Sequence, residues 1–368
     1  MRHGGRSGCA GVARRCRVTA AAGEAGVPGH GARSYAVPGF ALRGAVCCLP
    51  ERCVTNDAFI AGLGEKAVAD VTAMTGVQAR YWADAGQTAG DLCLVAACRL
   101  LARLDWPAHS IDALIFVSQT PDQRMPATAC ALHGRLGLPP HCQAFDVNLG
   151  CSGYVYGLWL AAAMLGAGCR RILMLAGDTS SRLIDPRDRG TALLFGDAGS
   201  ASGLERCEDA APAHFVLGTD GGGARHLAVP GGGFRTQPME GGETLFMDGS
   251  EVFNFTMRAV PVLLRDTLEA ASREVREVDA FVLHQANRFM LRHIGRKLGI
   301  PPERMPINID RFGNTSSASI PLLLCTDLAP RIVGGPSRLL LAGFGVGLSW
   351  GAASLTLPPL ACAETVAP

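Results

Sequence analysis

Residues 146–165, DVNLGCSGYVYGLWLAAAML, place Cys151 directly after Gly150 and at the first turn of a long apolar helix. Helix N-termini present unpaired N–H groups and a partial positive charge. Both favour a thiolate, so the sequence predicts a lowered pKa for Cys151 and marks it as the candidate nucleophile. The small neighbours Gly150, Ser152 and Gly153 leave room for a backbone and a bulky substrate to approach. The run 151–169 carries no charge and approaches membrane-spanning length. It is rich in Gly and Ala and lies mid-chain between polar segments, which predicts a buried core helix and no membrane span.

Outward from this helix the pattern is α/β. Short apolar runs at 113–117 (ALIFV), 172–176 (ILMLA), 280–283 (AFVL) and 339–342 (LLLA) read as buried strands. Helical stretches are predicted over 88–104, with Thr88 as N-cap, over 252–269 and over 289–298. The order also repeats. SIDALIFVSQT, RRILMLAGDT and TALLFGDAGSASGLE in the first half are echoed by EVDAFVLHQAN, SRLLLAGFG and LSWGAASLTL in the second. This predicts two related α/β halves, 38–206 and 207–368, neither able to complete its core alone. Reactive groups are expected where strands end and halves meet. Residues 1–37, with Gly, Arg, Ala and Pro and no apolar periodicity, read as a disordered tail or as translation from an upstream start codon. An Arg-rich, acid-poor stretch can also mimic a transit peptide, although its Ser content is low.

Composition narrows the function. The 368 residues carry a formal charge of +2, but six arginines and one acid fall within residues 1–34. The remainder holds 28 basic and 31 acidic residues, a balance unsuited to nucleic acid. The 14 cysteines are scattered through apolar stretches and include no C-x-x-C pair. They read as small buried hydrophobes of a reducing, cytoplasmic protein, with neither a disulfide framework nor a zinc site.

Three further segments could carry chemistry. FVLHQANRFMLRHIGRKLG sets His284 at a strand end, where an imidazole can project into a central cleft. INIDRFGNTSSASIPLLL sets Asn314 before a run of small hydroxyl residues opening another helix, where an Asn can also be simply a cap. LAGFGVGLSWGAASL carries Gly343, Gly345 and Gly347 after a strand. No helix and ribose-binding acid follow as a dinucleotide loop requires, so a backbone N–H approaching a carbonyl oxygen fits better.

Together LGCSG, HQAN, GNTSSAS and GFGVGLSWG, with DPRDRGTALLFGDAG in mid-chain, resemble the β-ketoacyl-acyl-carrier-protein synthase III family of condensing enzymes over about residues 38–357. The resemblance implies a thiolase-like fold, two pseudo-duplicated α/β halves in αβαβα layers. It implies that Cys151 takes an acyl group from acyl-CoA or an acyl-carrier protein. His284 and Asn314 then bind the carbonyl of malonyl-carrier protein and support its decarboxylation. The backbone N–H groups of Cys151 and Val346 would form an oxyanion hole, with Phe344 beside them. Arg189, Asn287 and Gly249 would line the CoA or phosphopantetheine tunnel. Arg292, Arg296 and Lys297 would face an acidic acyl carrier protein. Met125 corresponds to the bulky residue that a homodimer partner inserts into the acyl pocket, and a flexible Met there suits longer or branched chains. No metal and no organic cofactor are implied.

The chain also departs from the family. A Trp and an Arg commonly precede its TGIRER-like turn, whereas Asp70 and Met74 stand before MTGVQAR here, and Asn254 stands where a Lys is often found. Fatty-acid initiation and a specialised lipid or polyketide pathway therefore both stay open. So does transfer of the acyl group to a non-malonyl acceptor, or a non-catalytic place in a heterodimer. Neutral Asn314 favours decarboxylation, because a carboxylate there would repel both malonate and enolate. No cysteine occurs in 343–351, where a degradative thiolase would carry its second one.

Overall fold

The computed structural model describes residues 33–234 and 242–368. Its strands, in chain order, are β1 (Ser34–Val37), β2 (Phe40–Cys48), β3 (Ala113–Val117), β4 (Gln143–Val147), β5 (Arg171–Asp178), β6 (Ala198–Arg206), β7 (Ala213–Thr219), β8 (Ala280–Leu283), β9 (Ser337–Gly345), β10 (Ser349–Leu357) and β11 (Cys362–Val366). They form a six-stranded sheet, β11-β2-β6-β5-β3-β4, and a five-stranded sheet, β1-β7-β10-β9-β8. Short ribbons at 53–55 with 79–81, and at 227–228 with 246–247, lie outside these sheets. The helices that place the site are α1 (Ala89–Leu104), α2 (Gly153–Gly166), α3 (Gly249–Ala270), α4 (Arg288–Leu298) and α5 (Ser319–Cys325).

The continuous apolar runs exist because each sheet is covered on both faces. In β3, Ala113, Ile115 and Val117 point into a central core with α2 and α5, and Leu114 and Phe116 point to a core with α1. In β9, Leu339 and Leu341 join the central core, while Leu340, Ala342 and Phe344 face α3 and α4. The period-2 alternation of a strand thus divides one run between two cores. Full burial of each Leu, Ile or Phe stabilises by about 1.5–3 kcal/mol. The layers run helix, sheet, helix, sheet, helix, and α2 is apolar all round because it lies in the middle layer. No helix among the described residues is long and apolar enough to cross a membrane.

The internal repeat is visible in the topology. In β2-β6-β5-β3 and in β7-β10-β9-β8, two antiparallel pairings are followed by a parallel one. The chain ends cross between the halves, however. β11 pairs with β2 of the first half, and β1 pairs with β7 of the second. Strand pairing at the sheet edges thus crosses the expected division at residue 207. It also corrects the expected tail over 1–37: residues 1–32 lie outside the described residues, but Ser34–Val37 is an edge strand.

Helix starts follow local chemistry. Thr88 caps α1 in a reciprocal box, its hydroxyl accepting from Asp91 N–H at 3.1 Å while the Asp91 carboxylate accepts from Thr88 N–H at 3.0 Å. Asp248 caps α3 and Asn287 caps α4.

Candidate active site

Cys151, His284 and Asn314 come from different elements and line one cavity of about 830 Å³. All three are buried, with exposures of 6%, 1% and 4%. Met74 and Phe289, 56% and 50% exposed, mark its open end. The cavity is therefore a tunnel from the surface to the thiol.

Cys151 sits in the turn just before α2, two residues ahead of its first helical residue. Strand β9 passes directly over it: a Cβ on Gly343 would lie 2.6 Å from the Cys151 carbonyl oxygen. At Gly345, which has φ +155°, a Cβ would lie 2.9 Å from the sulfur. Side chains at either position would close the site, which explains the glycines of this strand end. The backbone N–H groups of Val346 and of Cys151 itself favour the thiolate. The lowered pKa does not materialise. Burial, then the charge of Asp178, pushes the thiol up to about 11, and the donors, among them the Ser316 hydroxyl, offset only part of this. The helix end is outweighed by removal of the sulfur from water.

His284 follows β8, its N–H bonded to the Ala342 carbonyl of neighbouring β9 at 2.8 Å. Its ring meets Phe344 edge-on at 5.6 Å, and Nδ1 lies 2.6 Å from the Ser319 hydroxyl on α5. Burial holds the imidazole down to about 3, so it is neutral. If Ser319 donates to Nδ1, the proton of the neutral ring sits on Nε2 as a donor.

Asn314 is fixed across the two halves. Its N–H donates to the Leu194 carbonyl at 2.8 Å, and its carbonyl accepts from Gly196 N–H at 3.0 Å. Its Oδ1 accepts from Ser316 N–H at 2.9 Å. The amide NH₂ is the end left for the cavity. Neutral donors on His284 and Asn314 suit a developing negative oxygen.

Arg189, Gly249 and Asn287 also line the tunnel, as do Asp70, Met74 and Asn254. Asn287 has a structural task as well, its Oδ1 accepting from Met290 N–H at 2.7 Å. Arg292 and Arg296 line an adjoining groove of about 710 Å³ together with Arg288. The four-residue spacing puts these arginines on one face of α4. Lys297 is exposed on the same helix but does not line the groove. Met125 is 78% exposed and is absent from the lining of its own chain's tunnel, which Phe344 does line. Phe253, its ring tilted against that of Phe289 at 6.0 Å, is a lining residue that no sequence motif announced, and Phe195 lines the tunnel from within the mid-chain motif. Among the described residues, no three His, Cys, Asp or Glu side chains are placed to hold a metal.

Five alternating layers with a buried Cys, His and Asn at the end of a tunnel define a thiolase-fold enzyme. Residues 145–221 match the family model described as 3-oxoacyl-[acyl-carrier-protein] synthase III, and residues 268–357 match the model of its C-terminal part. A Streptomyces coelicolor β-ketoacyl-[acyl-carrier-protein] synthase III is 38% identical over 86% of this chain and 93% of its own length. A 3-oxoacyl-(acyl-carrier protein) synthase from Burkholderia xenovorans shares 49% identity and a TM-score of 0.89, covering 92% of this chain and 99% of that one. The priming β-ketosynthase of the R1128 polyketide pathway is 28% identical, with a TM-score of 0.79, covering 89% of this chain and 99% of that one. The chain belongs to the β-ketoacyl-acyl-carrier-protein synthase III family of condensing enzymes.

Proposed function

We propose that the protein transfers an acyl group from a thioester to Cys151 and condenses it with malonyl-carrier protein, giving a β-ketoacyl thioester and CO₂. The observation that carries this reading is the meeting of Cys151, His284 and Asn314 at the buried end of one tunnel. Phosphopantetheine enters past Arg189, Gly249 and Asn287. Cys151 attacks the donor carbonyl, and the N–H groups of Cys151 and Val346 hold the resulting oxyanion. After the donor thiol leaves, the malonyl carbonyl takes its place against His284 and Asn314. Loss of CO₂ leaves an enolate whose oxygen accepts from both side chains, donors of this kind being worth about 3–4 kcal/mol each. The enolate carbon attacks the acyl-Cys151 carbonyl, and the Cys151 sulfur leaves. A second copy of the chain supplies Met125 to the acyl end of the tunnel, and Arg292, Arg296 and Lys297 face the acidic carrier protein in the cytoplasm.

Asp70 and Met74 withdraw two family contacts for a CoA nucleotide from the tunnel mouth, while Phe289 and Arg189 still line the tunnel. Asp70 is paired with Lys66 at 2.7 Å, and neither it nor Met74 offers a flat ring or a cation to a nucleotide. Intact-mass analysis after mixing with acetyl-, octanoyl- and isobutyryl-CoA or carrier protein tests the reading. An adduct is expected on the wild type and none on Cys151→Ala; labelling by no donor overturns it. Adding malonyl-carrier protein must then release a β-ketoacyl product with CO₂, whereas release only to another nucleophile identifies an acyltransferase.

A further inference from the structure

We propose that Asp178 is a positioning residue for Asn314. Its buried carboxylate clamps the turn 314–317 of the second half onto strand ends of the first, and so keeps the Asn314 amide directed at the cavity. This rests on the condensation reading above and adds what holds one of its two donors in place.

Asp178 ends β5, is 1% exposed and does not itself line the tunnel. Each of its oxygens serves a different half of the chain. Oδ1 accepts from Gln119 N–H at 2.8 Å and from the Ser118 and Thr120 hydroxyls at 3.1 and 3.4 Å, all just beyond β3. Oδ2 accepts from the Ser317 hydroxyl at 2.7 Å and from Ser317 N–H at 3.2 Å. These five donors are all neutral.

Successive N–H groups of the turn point to different acceptors. Ser316 N–H donates to Asn314 Oδ1 at 2.9 Å, and Ser317 N–H donates to Asp178. Ser316 itself holds φ at +49°, in the left-handed region that non-glycine residues rarely adopt. Strain of this kind persists only where the surroundings over-determine it. Here the two acceptors, one on either side, do so. Without the Asp178 anchor the turn can relax, Ser316 N–H leaves Oδ1, and the Asn314 amide is free to rotate. The Asn314 backbone would stay in place, because its bonds to Leu194 and Gly196 are independent of Asp178. What the clamp secures is the direction of the side chain.

The position calls for a carboxylate. Each oxygen faces a backbone N–H, which can only donate, so both ends of the group must accept. An amide cannot do this, since its NH₂ meets one N–H whichever way it lies. In Asp178→Asn the NH₂ belongs on the Ser317 side, where the N–H contact is the longer and the hydroxyl can turn to accept. The substitution therefore keeps the shape and the contacts beyond β3, and removes the anchor on Ser317. Acylation draws on Cys151 and on the N–H groups of Cys151 and Val346, whereas the clamp acts on Asn314, so its loss falls on condensation.

Ser317→Ala, Asp178→Asn and Asn314→Ala, singly and in pairs, test the clamp. Donors are acetyl-, octanoyl- and isobutyryl-CoA and the same acyl groups on carrier protein, with malonyl-carrier protein as acceptor. Ser317→Ala keeps the N–H but loses the hydroxyl. Condensation of enzyme already acylated should slow about tenfold, as for loss of a hydrogen bond to a charged group. Asp178→Asn should slow it about 100-fold, approaching loss of the Asn314 donor itself. Cys151 acylation, read by intact mass, should stay within about threefold in both. Added to Asn314→Ala, neither substitution should cost more than about a further twofold, because no amide is left to position; merely structural damage would multiply. Equal slowing of both half-reactions, wild-type condensation in both variants, or full multiplication with Asn314→Ala would each overturn the clamp. A wild type that accepts no acyl group, or yields no β-ketoacyl product, sinks the clamp together with the reading it rests on. A wild type that labels and condenses, with variants lacking the split, sinks the clamp alone.

Discussion

The Nδ1 of His284 lies 2.6 Å from the hydroxyl of Ser319, a buried contact between the end of β8 and the first residue of α5. This contact ties the direction of the imidazole to a helix that also carries the seam between the two sheets. Ser319→Ala leaves Nδ1 without that partner and lets the ring exchange tautomers. The loss of one such hydrogen bond corresponds to about a tenfold fall in condensation. Cys151 acylation, followed by intact mass, should stay within about twofold, and Ser319→Thr should restore part of the condensation rate.

In the proposed condensation Asn314 is the neutral partner of His284. Asn314→Asp places a negative charge where that reading puts the malonyl carboxylate and the enolate. Condensation should fall by about 100- to 1000-fold, as when an oxyanion donor is removed. Quenched-flow assays should show the acyl-enzyme accumulating.

Gly345→Ala brings a Cβ to 2.9 Å from the Cys151 sulfur on a backbone with φ +155°. Strand β9 must shift, or the thiol must turn away. The variant should resist alkylation of Cys151 by iodoacetamide and lose about 1–3 kcal/mol in stability from overpacking, measured by urea unfolding.

His284 gives acid sensitivity a definite sign. Its folded pKa is about 3 against an ordinary 6.5, so between these values the unfolded chain binds a proton that the folded protein refuses. Stability contributed by the neutral imidazole is complete above 6.5 and is lost as pH falls towards 3. Across that window wild-type stability should fall more steeply than that of His284→Gln, by about 1.4 kcal/mol per pH unit. Parallel slopes in urea unfolding at several pH values would contradict it.

At the tunnel mouth, Asp70→Trp with Met74→Arg supplies a ring for stacking and a cation for phosphate. Stacking of one base on an aromatic ring contributes about 1–3 kcal/mol. The double variant should raise kcat/KM for acyl-CoA about tenfold or more and leave acyl-carrier protein nearly unchanged. An equal change for both donors would argue that nucleotide contacts do not set the preference.

Strand runs such as ALIFV and LLLA were readable because both sheets are covered on two faces, and Thr88 because its box is local. That Cys151, His284 and Asn314 stand at element ends was readable because each lies in a short motif, and the structure sets all three on one cavity. The thiol pKa was misread because helix position is local, whereas burial under β9 and the charge of Asp178 are tertiary. The surroundings of Asp178 were missed for a related reason. An Asp at a strand end is commonplace, and only folding sets it beside residues about 140 positions away, as in its bonds to Ser317. The exchange of β1 and β11 between the halves left no mark in the apolar pattern, since edge strands pair through backbone groups. Arg288 completes the α4 row at four-residue spacing and could have been found by extending the pattern back one turn.

The bridge between Phe195 and Asn314 reaches beyond catalysis. Gly196 lies so close to the Phe312 carbonyl that no larger residue fits without movement of the opposite half. A gene crossover near residue 207 would give a hybrid its Cys151 from one parent and its His284 and Asn314 from the other. Such a hybrid works only where the parents agree along 194–197 and 312–317. Changes on one side of this seam must therefore be accommodated on the other, and the two halves, though built alike, are not interchangeable parts.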